Sequence, residues 1–236
     1  HLFPLLLLFG ALGGLHASHA QTLTAYYNFE GDFNDFPGAG VNADNLVNVT
    51  GGMLVNDASP GAGSTMSYRF DNRNGNQTAQ TDAWSPDLTS GNQYTIMFWF
   101  KGDNAAQDLN NTRLATVKNT APNATMGPDT GWQVEGFGLS SGDSMDLRIQ
   151  NNPSPPNVGN FFSPNATGIL DNDGNEANDI WHHVAFVVSN TGSDNNNFSF
   201  IETFVDGVSL GHSENQISTG TNMLANLDGE LIIGGQ

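Results

Sequence analysis

Cysteine is absent from the 236-residue chain. No disulfide can staple the fold, so its stability must come from packing, supplemented at most by bound metal. Basic residues are nearly as scarce: 6 Lys and Arg stand against 24 Asp and Glu, for a formal net charge of −18. A surface of that sign repels polyphosphates and anionic lipids, which excludes nucleic acid and membrane surfaces as partners. Helical periodicity is nearly missing after the first 20 residues, and no later segment approaches the roughly 20 apolar residues that a membrane span needs. What the chain has in quantity is Asp scattered among Asn and Gly, residues that tolerate left-handed backbone in turns. The acidity therefore reads as solvated loops, with calcium-dependent loops as the sharper alternative.

The opening HLFPLLLLFGALGGLHASHA carries an apolar run, Leu2 to Leu15, followed by Ser18 and Ala20. Small residues at those two places suit cleavage after Ala20, so residues 1–20 are expected to be a secretory signal peptide lacking its Met and basic start. Residues 21–236 are then one exported domain, large enough to bury about 70% of its surface. Runs rich in Val, Ile, Phe, Tyr and Trp, bounded by Gly, Asn, Asp and Pro, predict strands. These fall near Thr22–Phe29, Met53–Val55, Thr65–Phe70, Tyr94–Phe100, Arg113–Lys118, Gly131–Leu139, Met145–Gln150, Trp181–Ser189, Phe198–Val205, Val208–His212 and Glu230–Ile233. Strands without helices imply a sandwich or barrel.

Asp206-Gly207 between two apolar runs is a two-residue hairpin signal, which pairs Ile201–Val205 with Val208–His212. A Ser-Ser-Gly-Asp turn predicts a second hairpin within 131–150. In YTIMFWF both faces are apolar, which predicts a central strand covered on both sides, or one whose second face lines a groove. Asn151–Asn178 is the longest irregular region, and Pro153, Pro155 and Pro156 exclude a central strand there.

In DIWHHVAFVVSN, adjacent His182 and His183 point to opposite faces of a regular strand. They cannot chelate one metal; the expectation is one ring packed at the sheet end and the other at the surface. Calcium is the better-matched metal, given many loop oxygens and no thiols. One candidate locus is LDNDGNEAND, with Asp171, Asp173 and Asn175 at calcium-loop spacing and Asp179 nearby; Glu176 and His182 depart from that pattern. A retaining glycosidase needs two carboxylates about 5–5.5 Å apart, and acids two apart along a strand would supply them. Glu135 and Glu202 have no acid two residues away, and Asp146 shares its face with Arg148, which predicts a surface ion pair. No Gly-x-Ser-x-Gly elbow appears either, so no enzyme is expected.

Six phrases in order resemble one family: YYNFEGDFNDFPGAG, YRFDN, YTIMFWFKGD, DIWHHVAFVV, FVDGVSLG and LIIGG. The mature chain looks like the laminin-G-like, concanavalin A-like jelly-roll domains of exported, mostly bacterial proteins. The resemblance implies an all-β sandwich of two antiparallel sheets, with a final strand expected beyond Gln236. It also implies a structural calcium, for which Glu30 and Asp32 match the first half of the ligand set. Domains of this shape include sugar-binding, adhesion and polysaccharide-degrading proteins, so fold does not decide function. The expectation is a secreted or cell-surface, non-catalytic module binding extracellular polysaccharide or glycoprotein, with Trp84, Trp132 and Phe161 as stacking rings. An adhesion segment without its own sugar site is the alternative.

Overall fold

The computed structural model describes residues 27, 29–34, 45–57, 64–70, 77–81, 93–103, 112–118, 131–137, 144–151, 159–167, 169–171, 180–189, 198–216 and 230–235. The expected signal peptide, residues 1–20, lies outside the described residues. Among those described, every regular element is a strand: β1 (Asn48–Thr50), β2 (Met53–Val55), β3 (Ser67–Arg69), β4 (Gln77–Gln80), β5 (Gln93–Phe100), β6 (Gly102–Asp103), β7 (Thr112–Lys118) and β8 (Gly131–Phe137). They continue with β9 (Ser144–Asn151), β10 (Gly159–Phe162), β11 (Ala166–Thr167), β12 (Leu170–Asp171), β13 (His182–Ser189), β14 (Phe198–Val205), β15 (Val208–Gln216) and β16 (Glu230–Gly235). No helix among the described residues is long and apolar enough to cross a membrane.

Two antiparallel sheets dominate. The larger runs β1-β4-β16-β7-β8-β9-β10, with β11 also paired to β9; the smaller runs β15-β14-β13-β5. Short β2–β3 and parallel β12–β6 pairs complete the set. Alternation explains why the sheets meet. Trp132 and Val134 on β8, Met145 and Leu147 on β9, and Val184, Phe186 and Val188 on β13 point into one shared core, while the residues between them face outward. Tyr94, Ile96, Phe98 and Phe100 of β5 pack against that core from the smaller sheet. The result is all-β and sandwich-like. Thr203, buried on β14, donates its hydroxyl to the Pro164 carbonyl at 2.7 Å, tying the smaller sheet to the edge of the larger.

Both expected hairpins form: β14 pairs with β15 through Asp206-Gly207, and β8 pairs with β9. The Thr22–Phe29 strand does not extend through the described part of that stretch. Phe29 has a positive φ of 56° and joins a ring cluster with Phe33 and Tyr68. YTIMFWF is not covered on both faces: β5 ends the smaller sheet's strand order, and Met97 on its outer side is 58% exposed. The stretch 151–178 is not irregular throughout, because β10 and β11 dock on β9 and β12 on β6. A strand at a sheet's edge needs partners on one side only, so short polar segments suffice and apolar alternation does not announce them. Pro153, Pro155 and Pro156 lie outside the described residues.

Candidate functional site

The outer face of the smaller sheet is built by register. His183 lies opposite Trp99, Ala185 opposite Met97 and Val187 opposite Thr95, while Ala185 and Val187 face Phe204 and Glu202 on the other side. These residues alternate with the core set, so they share the side away from it. Trp181, just before β13, continues the row. Its ring carries Lys101 Nζ at 5.7 Å from the centroid, and its Nε1 donates to Asp57 at 3.3 Å. Lys101 also pairs with Asp57, and this hydrogen bond is the main cause that lowers the Asp57 carboxyl below its ordinary value. Trp99 and Trp181 are both partly exposed. Farther along, Ser209 donates to Glu202 at 2.7 Å and His212 meets Phe200 edge-on at 6.2 Å. The face thus offers an aromatic and thioether strip with hydrogen-bonding groups at both ends.

The histidine pair divides as alternation requires, and each ring has its own partner. His183 sits edge-on to Trp99, ring centroids 5.2 Å apart. His182 Nδ1 lies 2.8 Å from Asp206 Oδ2. Both rings are partly buried, so the expected split into one packed and one surface ring is not seen. Asp206, in the positive-φ turn at 50°, also accepts from the His183 amide at 2.8 Å, and its own amide donates to the His183 carbonyl. The hairpin turn is clamped to the start of β13. His182 first, then the His183 amide, holds the Asp206 carboxyl below its ordinary range. Stability from this clamp is present above the unfolded value of 3.8 and is lost as pH falls through the lowered folded one. Asp206→Ala is expected to cost about 1 kcal/mol at neutral pH, the surface setting discounting a charge-assisted bond. Denaturant titrations should show that deficit shrinking in acid and smaller for Asp206→Asn; a deficit independent of pH would remove the clamp.

On the larger sheet, the face away from the core carries Gln133 and Glu135 of β8 beside Asp146 and Arg148 of β9. Glu135 is registered with Asp146, and Gln133 with Arg148. Arg148 Nη1 reaches Glu135 Oε1 at 3.4 Å, and Gln133 Nε2 donates to the same oxygen. The expected Asp146–Arg148 surface pair is therefore part of a buried cluster: Asp146 is 4% and Glu135 6% exposed. Burial first, then the Glu135 charge, pushes the Asp146 carboxyl up to about 7. Spacing along a single strand does not reveal these carboxylate neighbours. The second hairpin supplies them across strands, and its register, Phe137 opposite Ser144, is the signal that could have found them.

Trp132 does not offer a stacking ring: it is 5% exposed, inside the shared core, because its alternation phase matches Val134. Phe161 is placed by its backbone in β10 opposite Ile149, and Trp84 lies outside the described residues. Glu30 accepts from the Thr65 amide and, at 3.1 Å, from the Thr65 hydroxyl. Hydrogen bonds from Ser64, then Thr65, lower its carboxyl. Asp32 accepts from the Asn34 amide at 3.1 Å and side chain at 2.7 Å. Glu30 thus ties the mature start to the Thr65 segment, and Asp32 closes a local turn. Asp171 is set by its backbone opposite Asp103 in the β12–β6 pair, while Asp173, Asn175 and Asp179 lie outside the described residues. A scan against protein-family models and a search of curated proteins find no match for the chain.

Proposed function

We propose that the chain is an exported, non-catalytic, laminin-G-like jelly-roll module that binds extracellular carbohydrate or a glycoconjugate along the outer face of its smaller sheet. The observation that carries this reading is the row Trp181, Trp99 and Met97, three large soft side chains with accessible surface on the side away from the core. Residues 95 to 101 span roughly 20 Å at about 3.3 Å per residue, room for an extended chain. Apolar C–H faces of sugar rings stack on indole, and Glu202, His212 and Asp57 supply directional hydrogen bonds around it. Two antiparallel sheets on one core, with the closing Ile-Gly-Gly phrase in β16 between β4 and β7, support the jelly-roll assignment. Structural calcium belongs to the same reading through the 171–179 loop, whose start is held next to β6.

A glycan array run with calcium and again with chelator tests it. Retention of at least one glycan class is expected, and Trp99→Ala with Trp181→Ala should weaken that binding by about 30-fold or more, as losing a buried aromatic anchor of about 2 kcal/mol does. Both variants should keep a cooperative melt, because neither ring belongs to the shared core. No retained glycan in either condition would sink the carbohydrate reading and leave the adhesion role.

A further inference from the structure

We propose that the polar row on the larger sheet, Ser144, Asp146 and Arg148 of β9 with Gln133 and Glu135 of β8, is a second ligand site, shaped for the hydroxyl-bearing edge of an uncharged sugar ring. Alternation places all five on the side away from the shared core, since Trp132, Val134, Met145 and Leu147 occupy the positions between them. The core therefore separates this row from the aromatic strip, and the two sites are independent.

Ser144 and Asp146 carry the inference. They lie two apart on one strand, 1% and 4% exposed, and neither Ser144 Oγ nor Asp146 Oδ1 has a hydrogen-bond partner among the described residues. A sheet face that only had to be covered would use apolar residues, as the opposite face of the same two strands does; two neighbouring unsatisfied polar groups are costly to keep. The adjoining groups are already oriented. Glu135 Oε1 accepts from Gln133 and Arg148 together, which fixes the carboxylate within the row. Such a row suits a ligand that donates and accepts at neighbouring points. Hydroxyls do both, so they can give a proton to the Asp146 oxygen and receive one from Ser144. A free anion would meet Glu135, and a free cation would meet Arg148, so the chemistry selects a neutral polyol.

Isothermal titration of the full chain at pH 6 with soluble neutral oligosaccharides of glucose, xylose, mannose and galactose tests the site. Asp146→Leu is expected to raise the melting temperature while weakening binding at this site at least 10-fold; Trp99→Ala with Trp181→Ala leaves this site's affinity intact. Asp146→Asn, which keeps shape and one acceptor, should fall between wild type and Asp146→Leu and serves if the latter does not fold. Affinity and stoichiometry within twofold of wild type in the Asp146 variants overturn the second site and leave the strip standing. Loss of binding in the tryptophan variants alone overturns it equally. Wild type that binds none of the four series overturns the second site directly, and the array result then decides the strip separately.

Discussion

Raising the pH from about 4 to about 7 is expected to lower the unfolding free energy by on the order of 3 kcal/mol, and Asp146→Asn to abolish that loss. The ordinary value of the Asp146 carboxyl is 3.8; burial and the Glu135 charge push it to about 7 in the folded chain. Between those values the folded protein retains a proton that the unfolded chain has released, so each step up in pH favours unfolding. Above the upper value both states are ionised and the penalty is complete. Glu30, Asp57 and Asp206 act in the opposite sense: hydrogen bonds lower all three, and their contribution is lost only in more acidic solution. The two effects occupy different windows. Urea titrations of wild type and Asp146→Asn at several pH values isolate the first, and parallel profiles for the two proteins would show that Asp146 is not the group responsible.

Gly234→Ala is expected to destabilise by more than about 3 kcal/mol, whereas Gly207→Ala costs only about 1 kcal/mol. Both glycines have positive φ, 115° and 78°. What separates them is space. A methyl group on Gly234, in β16 opposite Thr78, would run into the backbone carbonyl oxygen of Gln77, which the sheet holds in place. Gly207 sits at the tip of the β14–β15 turn with nothing within 4 Å of the same position. For a chain of this size the difference amounts to several degrees in melting temperature, at about 2–4 °C per kcal/mol. Equal melts for the two variants would mean that β4 gives way, and the close approach would lose its importance.

Much of the strand pattern was legible because side-chain size and turn chemistry act locally. FVDGVSLG needs no tertiary context to form a hairpin, since Asp and Gly accept positive φ at the two central positions. WHHVAFVV separates its histidines by alternation alone. The short strands β1, β4, β10, β11 and β12 were not legible. They are polar or only a few residues long, and they exist because a neighbour offers unpaired amides and carbonyls along its edge.

The candidate sites divide the same way. Trp99 and Met97 were readable as one face of YTIMFWF, but whether that face met solvent or a second layer depended on where β5 stood in its sheet. Trp132 has the same side-chain chemistry as Trp99, and its phase along β8 buries it in the core. By itself the sequence determined an all-β chain, its main hairpins and the opposed histidines, because each follows from the two-residue period of a strand and from turns closed by near neighbours. Only the tertiary structure decided which tryptophans stay accessible and that Glu135 and Asp146 stand side by side in a buried row. Those outcomes depend on inter-strand register and on which face of each sheet the shared core covers.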